Sequence, residues 1–185
     1  MAGALLASMA ATALLLALEG RWEEAIPLHL CSLSALCAAA LALRPRQGML
    51  DFLWYLGMPG AALALAFPAP AVSRHQALLT GSYLLTHALI LLIPAFLMAA
   101  GMRPAPGRAA VLFLLLQGIA LAACAVNREL GTDFLFLSAP PAGTPLEAVY
   151  AWGYPYYLIG LETMMLLLCM GMDALARCLF ARNRQ

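Results

Sequence analysis

Long apolar runs separated by short polar links dominate the chain. Crossing about 30 Å of hydrocarbon at roughly 1.5 Å per residue takes ~17–25 mainly apolar residues. Runs near that length lie at Gly3–Leu18, Ala25–Leu43, Gly48–Phe67, Ala77–Gly101, Ala109–Val126 and Pro155–Leu175. The pattern predicts an all-α polytopic transmembrane helix bundle of about six spans, forming a single integral membrane domain over residues 1–185 with no internal repeat. The first run, Met1–Leu18, carries no charge and leads into Glu19-Gly20-Arg21. It lacks the basic opening and small-residue cleavage site of a signal peptide, so it reads as a retained helix.

The links Arg44-Pro45-Arg46-Gln47, Pro68-Ala69-Pro70 and Arg103-Pro104-Ala105-Pro106-Gly107 are short and turn-like. Such links predict antiparallel neighbouring helices. Asn127 to Tyr154 is different, with the apolar tetrad Phe134-Leu135-Phe136-Leu137, a Pro140-Pro141 break and a group of aromatics around Tyr150, Trp152 and Tyr154. It is too apolar for disorder. It is expected to fold back on the outer mouth of the bundle, with its aromatics at headgroup level.

Composition agrees with the pattern. At 64% hydrophobic and 10% charged residues, against ~45–50% and ~25% in soluble domains, the chain reads as an integral membrane protein. A net charge of +1 without a basic run argues against a nucleic-acid partner. All ten basic residues are Arg. Arg44, Arg46, Arg103, Arg108, Arg177, Arg182 and Arg184 fall on one side of the predicted topology, against Arg21, Arg74 and Arg128 on the other. That bias places both termini in the cytoplasm; the Arg-only, Ala- and Leu-rich composition hints at a GC-rich bacterial genome, and a bacterial inner membrane is the expected location.

An ionisable group at lipid depth is a functional-site hypothesis by default. The stretch Pro27-Leu28-His29-Leu30-Cys31 sets a base, a nucleophile and a helix-perturbing proline into the second run. Counting inward from the predicted outer ends at about 1.5 Å per residue, Cys31 lies roughly 9 Å deep, His87 roughly 15 Å and Glu162 roughly 10 Å. Asn127, Arg128, Glu129 and Asp133 close the fifth run on the same side. By this geometry the polar groups converge on one half of the membrane.

Each has a plainer role available. Cys37, Cys124, Cys169 and Cys178 read as packing residues, while Cys31 is divided between packing and nucleophile. His87 is equally suited to interhelical hydrogen bonding, and His75 reads as a loop residue. Five cysteines without framework spacing argue against a disulfide scaffold. His29, Cys31, His87 and Glu162 are legitimate zinc ligands but lack any ligand spacing, so no metal and no cofactor are assigned. A charged Glu162 costs ~2.5–3.5 kcal/mol at the membrane centre, so it must be paired, hydrated or protonated. On a regular helix His29 and Cys31 point about 200° apart. The base for Cys31 must then come from another helix, and His87 is the other histidine at depth. His29, Asn127, Asp133 and Glu162 are left as substrate-binding or orienting groups.

The Pro27–Cys31 stretch, Thr86-His87 followed by Leu92-Ile93-Pro94, the run Asn127–Leu137, and Gly153-Tyr154-Pro155-Tyr156-Tyr157 with Glu162 together resemble the YwaF-type bacterial integral membrane proteins. These belong with the eukaryotic transmembrane-protein-164 family. The resemblance runs from about Glu19 to Leu175 and implies a cysteine acyltransferase acting on phospholipids. It further implies an acyl-cysteine on Cys31 with His87 as its partner; family members usually have seven spans, with an additional helix before the first run, which this chain begins without. Relatives tend to read Gly-Thr-Asn-Tyr where this chain has Gly131-Thr132-Asp133-Phe134.

The leading expectation is lipid acyl transfer or ester hydrolysis through an acyl-cysteine intermediate. The alternatives are a small-solute or proton transporter or channel with a polar outer cavity, and a non-enzymatic membrane subunit held by polar packing residues.

Overall fold

Proline and glycine decide where the apolar runs become helices. In the computed structural model, which describes residues 1–70 and 72–180, the secondary structure is helical, with no strand among the described residues. The helices are α1 (Ala2–Leu18), α2 (Leu30–Leu43), α3 (Gln47–Ala66), α4 (Gln76–Ala99), α5 (Ala109–Leu130), α6 (Leu146–Tyr150) and α7 (Tyr156–Phe180). The all-α membrane fold class is as the sequence predicts. Of these helices α3, α4, α5 and α7 are long and apolar enough to cross a membrane, while α1 and α2 are shorter apolar helices of 17 and 14 residues. Arg182 and Arg184, which entered the charge count, lie outside the described residues.

The second helix starts at Leu30 and not at Ala25. Pro27 is the cause: the residue before a proline is driven out of the α region, and Ile26 is extended at φ −64°, ψ 126°. Trp22–Ala25 instead forms a separate 3-10 turn. The count placing Cys31 roughly 9 Å down a helix is therefore corrected. Cys31 sits in the first turn of α2, with His29 as its extended N-cap residue at φ −66°, ψ 146°.

A second proline shapes α3. Pro59 cannot donate to the carbonyl four residues earlier, and its ring crowds that carbonyl. The helix meets this with a π-turn over Leu53–Gly57, which loosens the backbone just ahead of the proline. The fifth helix runs past the predicted Val126 to Leu130, where Gly131 at φ 67°, ψ 25° ends it and donates its N–H to the Asn127 carbonyl at 2.9 Å. A left-handed residue at this position favours glycine.

The chain divides into two compact units, Met1–Arg103 and a second beginning at Pro104. In the first, α2 packs against α1, α3 and α4. Its small residues Ala35, Ala38 and Ala39 are buried against Leu5, Leu50, Leu53, Ile90 and Ile93. In lipid, such a core gains close van der Waals contact more than relief from water, so small residues that let backbones approach are favoured. Gly57 is one of them, since a Cβ there would lie 2.8 Å from Leu53 Cδ2 and 3.1 Å from Ser34 Oγ.

In the second unit α5 packs on α7, and the connecting segment folds onto the start of α7. Tyr157 donates its hydroxyl to the Phe136 carbonyl at 2.7 Å and meets the Tyr150 ring edge-on at 5.3 Å. Gly160 admits α6, because a Cβ there would collide with Val149 Cγ1. Trp152, Tyr154 and Tyr156 remain exposed, as aromatics at a headgroup boundary would be.

Candidate functional site

Two neighbouring faces of α4 carry polar side chains at four-residue spacing. Ser82 and Thr86 form one face, Tyr83 and His87 the next, about 100° around the helix. The first face is engaged by α1, which presents Ser8 and Thr12 at the same spacing. Ser8 donates to the Ser82 carbonyl at 3.0 Å, and Ser82 returns a bond to the Ser8 carbonyl at 2.8 Å. Ser8 Oγ lies 2.9 Å from Thr86 Oγ1, and Thr12 Oγ1 lies 2.6 Å from Ser82 Oγ. This hydroxyl cluster fixes the rotation of α4 about its own axis. The Tyr83–His87 face is thereby set as well.

His87 is buried, at 4% exposure. Its Nδ1 lies 2.7 Å from the Tyr83 carbonyl oxygen. A carbonyl only accepts, so Nδ1 carries the proton and Nε2 keeps its lone pair. The Tyr83 ring lies against the imidazole, with centroids 4.1 Å apart and planes tilted by 42°. The Tyr83 hydroxyl donates to the Ala64 carbonyl at 3.0 Å.

Cys31 is a half-buried free thiol packed against the core of the first unit. The groups acting electrostatically on its sulfur are the Ser32 N–H, the Ser32 hydroxyl and its own backbone N–H. All three belong to the first turn of α2, which has no side-chain cap. First-turn N–H groups lack helical partners and sit at the positive end of the helix dipole. The Tyr83 hydroxyl also interacts electrostatically with Cys31. His29, outside the helix, no longer stands in a wheel relation to Cys31.

Three further predicted residues belong to the second unit. Asn127 accepts from the Phe134 N–H at 2.8 Å and the Thr132 hydroxyl at 3.0 Å, and donates to the Phe134 carbonyl at 3.1 Å. The Asp133 carboxylate accepts from the Ser138 and Ala139 N–H groups at 2.9 and 3.0 Å. Both thus organise the loop backbone. Glu162 accepts from Gln117 Nε2 at 2.5 Å, so the acid has a polar partner on the neighbouring helix. Among the described residues, no three His, Cys, Asp or Glu side chains come together as metal ligands.

Sequence reasoning missed Tyr83 and the four hydroxyls, and left Gln117 without a role. The four-residue repeats Ser8/Thr12, Ser82/Thr86 and Tyr83/His87 were the available signal.

Outside the apolar helices, Glu19 at the end of α1 accepts from the Ser73 hydroxyl at 2.5 Å and the Arg74 N–H at 2.9 Å. The Ser73 bond leads in holding its carboxyl below the ordinary range, with the Arg74 N–H and Arg21 adding to it. Arg21 in turn donates to both Glu24 oxygens, at 2.7 and 2.6 Å. These contacts tie the segment before α4 to the end of α1.

Residues 1–173, from α1 into α7, match the TMEM164 family model. The chain belongs to the TMEM164 family. It is accordingly a helical membrane protein, and the family match takes in both units, from α1 well into α7. No curated protein and no solved structure matches it.

Proposed function

We propose that this TMEM164-family protein, of the YwaF type, transfers or hydrolyses lipid acyl groups through an acyl-cysteine on Cys31. The observation that carries the reading is the 2.7 Å contact between His87 Nδ1 and the Tyr83 carbonyl, which leaves Nε2 as the basic nitrogen in a buried setting. The Cys31 sulfur attacks the ester carbonyl of a phospholipid while His87 Nε2 takes the thiol proton. Collapse of the tetrahedral intermediate breaks the ester C–O bond, and His87 returns the proton to the departing lysolipid oxygen. A lysolipid hydroxyl or water then attacks the thioester, with the same proton shuttle, and releases the thiol. The Cys31 and Ser32 N–H groups in the first turn of α2 act on the sulfur and would receive the developing oxyanion.

In this reading His29 at the helix cap contacts the substrate headgroup. Asn127, Asp133 and Glu162, in the second unit, are further lipid-binding or orienting groups in this reading. The chain lies in a bacterial inner membrane with both termini cytoplasmic, and phospholipids are its partners. The test is intact-mass analysis of the detergent-purified protein after incubation with mixed phospholipids. A hydroxylamine-sensitive gain of one acyl chain on wild type, absent in Cys31→Ala, is the expected result. An equal gain on the variant would remove Cys31 from the chemistry.

A second reading, solute or proton transport, draws on the Glu162–Gln117 pair within otherwise apolar helices. Proteoliposome flux that persists in Cys31→Ala and is lost in Glu162→Gln would favour it.

A further inference from the structure

We propose that Tyr83 is the positioning residue of the Cys31–His87 pair, its ring clamping the His87 imidazole and its hydroxyl fixing that ring by capping α3. The inference rests on the acyl-transfer reading for its catalytic meaning, but the clamp is a physical claim that can be tested separately.

Two contacts and one electrostatic interaction converge on this one side chain. First, the ring faces the imidazole at a 4.1 Å centroid separation. The Nδ1 bond selects the tautomer, but a single contact to a backbone carbonyl leaves the imidazole some freedom to turn about χ2. A ring against its face removes that freedom. Second, the hydroxyl reaches the Ala64 carbonyl at 3.0 Å. Ala64 lies in the last turn of α3, whose final carbonyls have no helical donor, and the Phe67 N–H takes the neighbouring Leu63 carbonyl at 2.9 Å. The phenol therefore satisfies an acceptor that would otherwise lack a helical donor. Third, the same hydroxyl interacts electrostatically with the Cys31 sulfur. One residue thus touches the base and the end of α3, and its hydroxyl acts electrostatically on the nucleophile. The α1 hydroxyl cluster on the adjacent face of α4 holds the helix that presents it.

The measurement is two-bond ¹H–¹⁵N correlation on ¹⁵N-histidine-labelled protein in detergent, at a pH about one and a half units above the ordinary imidazole pKa. His87→Gln assigns the signal, and the rate of acyl-adduct formation is followed in parallel. Wild type is expected to show His87 as a single Nδ1–H tautomer. Tyr83→Leu is expected to lose that single pattern and to form the adduct at least tenfold more slowly. Tyr83→Phe keeps the ring, so it should retain the tautomer and at least a third of the rate. Tyr83→Leu with wild-type tautomer and rate would overturn the inference. So would an Nε2–H form in wild type, an outcome that stands even if the Leu variant does not fold. Tautomer loss in Tyr83→Leu, with no adduct on wild type under any lipid mixture, would uphold the clamp and reject the acyl-transfer reading.

Discussion

The Nδ1 of His87 lies 2.7 Å from the carbonyl oxygen of Tyr83, one helical turn earlier on α4. Because that oxygen only accepts, the contact fixes the tautomer and leaves Nε2 as a base in a buried, water-poor setting. General-base catalysis of this kind contributes ~10²–10⁴-fold. His87→Ala should slow acyl-adduct formation on Cys31 by that range while the protein remains monodisperse and helical. Retention of the wild-type rate would remove His87 from the reaction.

The serine–serine exchange between α1 and α4 should be measurable as stability. Ser82 contacts the Ser8 carbonyl, the Ser8 hydroxyl and the Thr12 hydroxyl. Interhelical hydrogen bonds in membranes average ~0.6 kcal/mol and reach ~1.7 kcal/mol. Ser82→Ala is therefore expected to cost about 1–2 kcal/mol in reversible detergent unfolding, with Ser82→Thr losing less. An unchanged unfolding midpoint in the alanine variant would show that the cluster does not hold the helices together.

Ser34 is the opposite case. Its hydroxyl is fully buried and has no partner among the described residues, with Gly57 closely apposed across the α2–α3 contact. An unsatisfied buried hydroxyl costs ~1–3 kcal/mol. Ser34→Ala should raise stability by about 1 kcal/mol in the same unfolding measurement. A loss of that size would mean that the hydroxyl is satisfied in the membrane.

Glu19 predicts a pH dependence with a definite sign. Its carboxyl is held below the ordinary value of 4.5, chiefly by the Ser73 hydroxyl. A depressed carboxylate contributes stability that is present above the unfolded-state value and is lost as pH falls through the lower folded-state value. The stability difference between wild type and Glu19→Gln should accordingly be constant near neutrality and shrink as pH is lowered beneath the usual carboxylate range. A gap that widened on acidification would contradict the Ser73 contact.

Much of this was legible in the chain. Apolar runs of membrane length gave the all-α class, and the ends of α1 and α2 fall where the charged Glu19 and Arg44 interrupt the pattern. Hydropathy fixes such features because each depends on a local stretch and its solvent. The start of α2 was misjudged for a local reason as well. Pro27 excludes helix from Ile26, and hydropathy does not register that backbone constraint. Cys31 and His87 stood out because polar chemistry is conspicuous at lipid depth.

The partners of those residues were decided by tertiary structure. Nothing in the spacing of Tyr83 indicates that its hydroxyl would cap α3 at Ala64, or that Ser8 and Ser82, 74 residues apart, would exchange hydrogen bonds. Similarly, Asn127 and Asp133 carry the composition of a binding site, yet their polar atoms bond the loop backbone. A sequence specifies which side chains can donate, accept or ionise. Which atoms meet depends on helix rotation and close approach, set here by buried alanines, Gly57 and hydroxyls that pair only once the helices have packed.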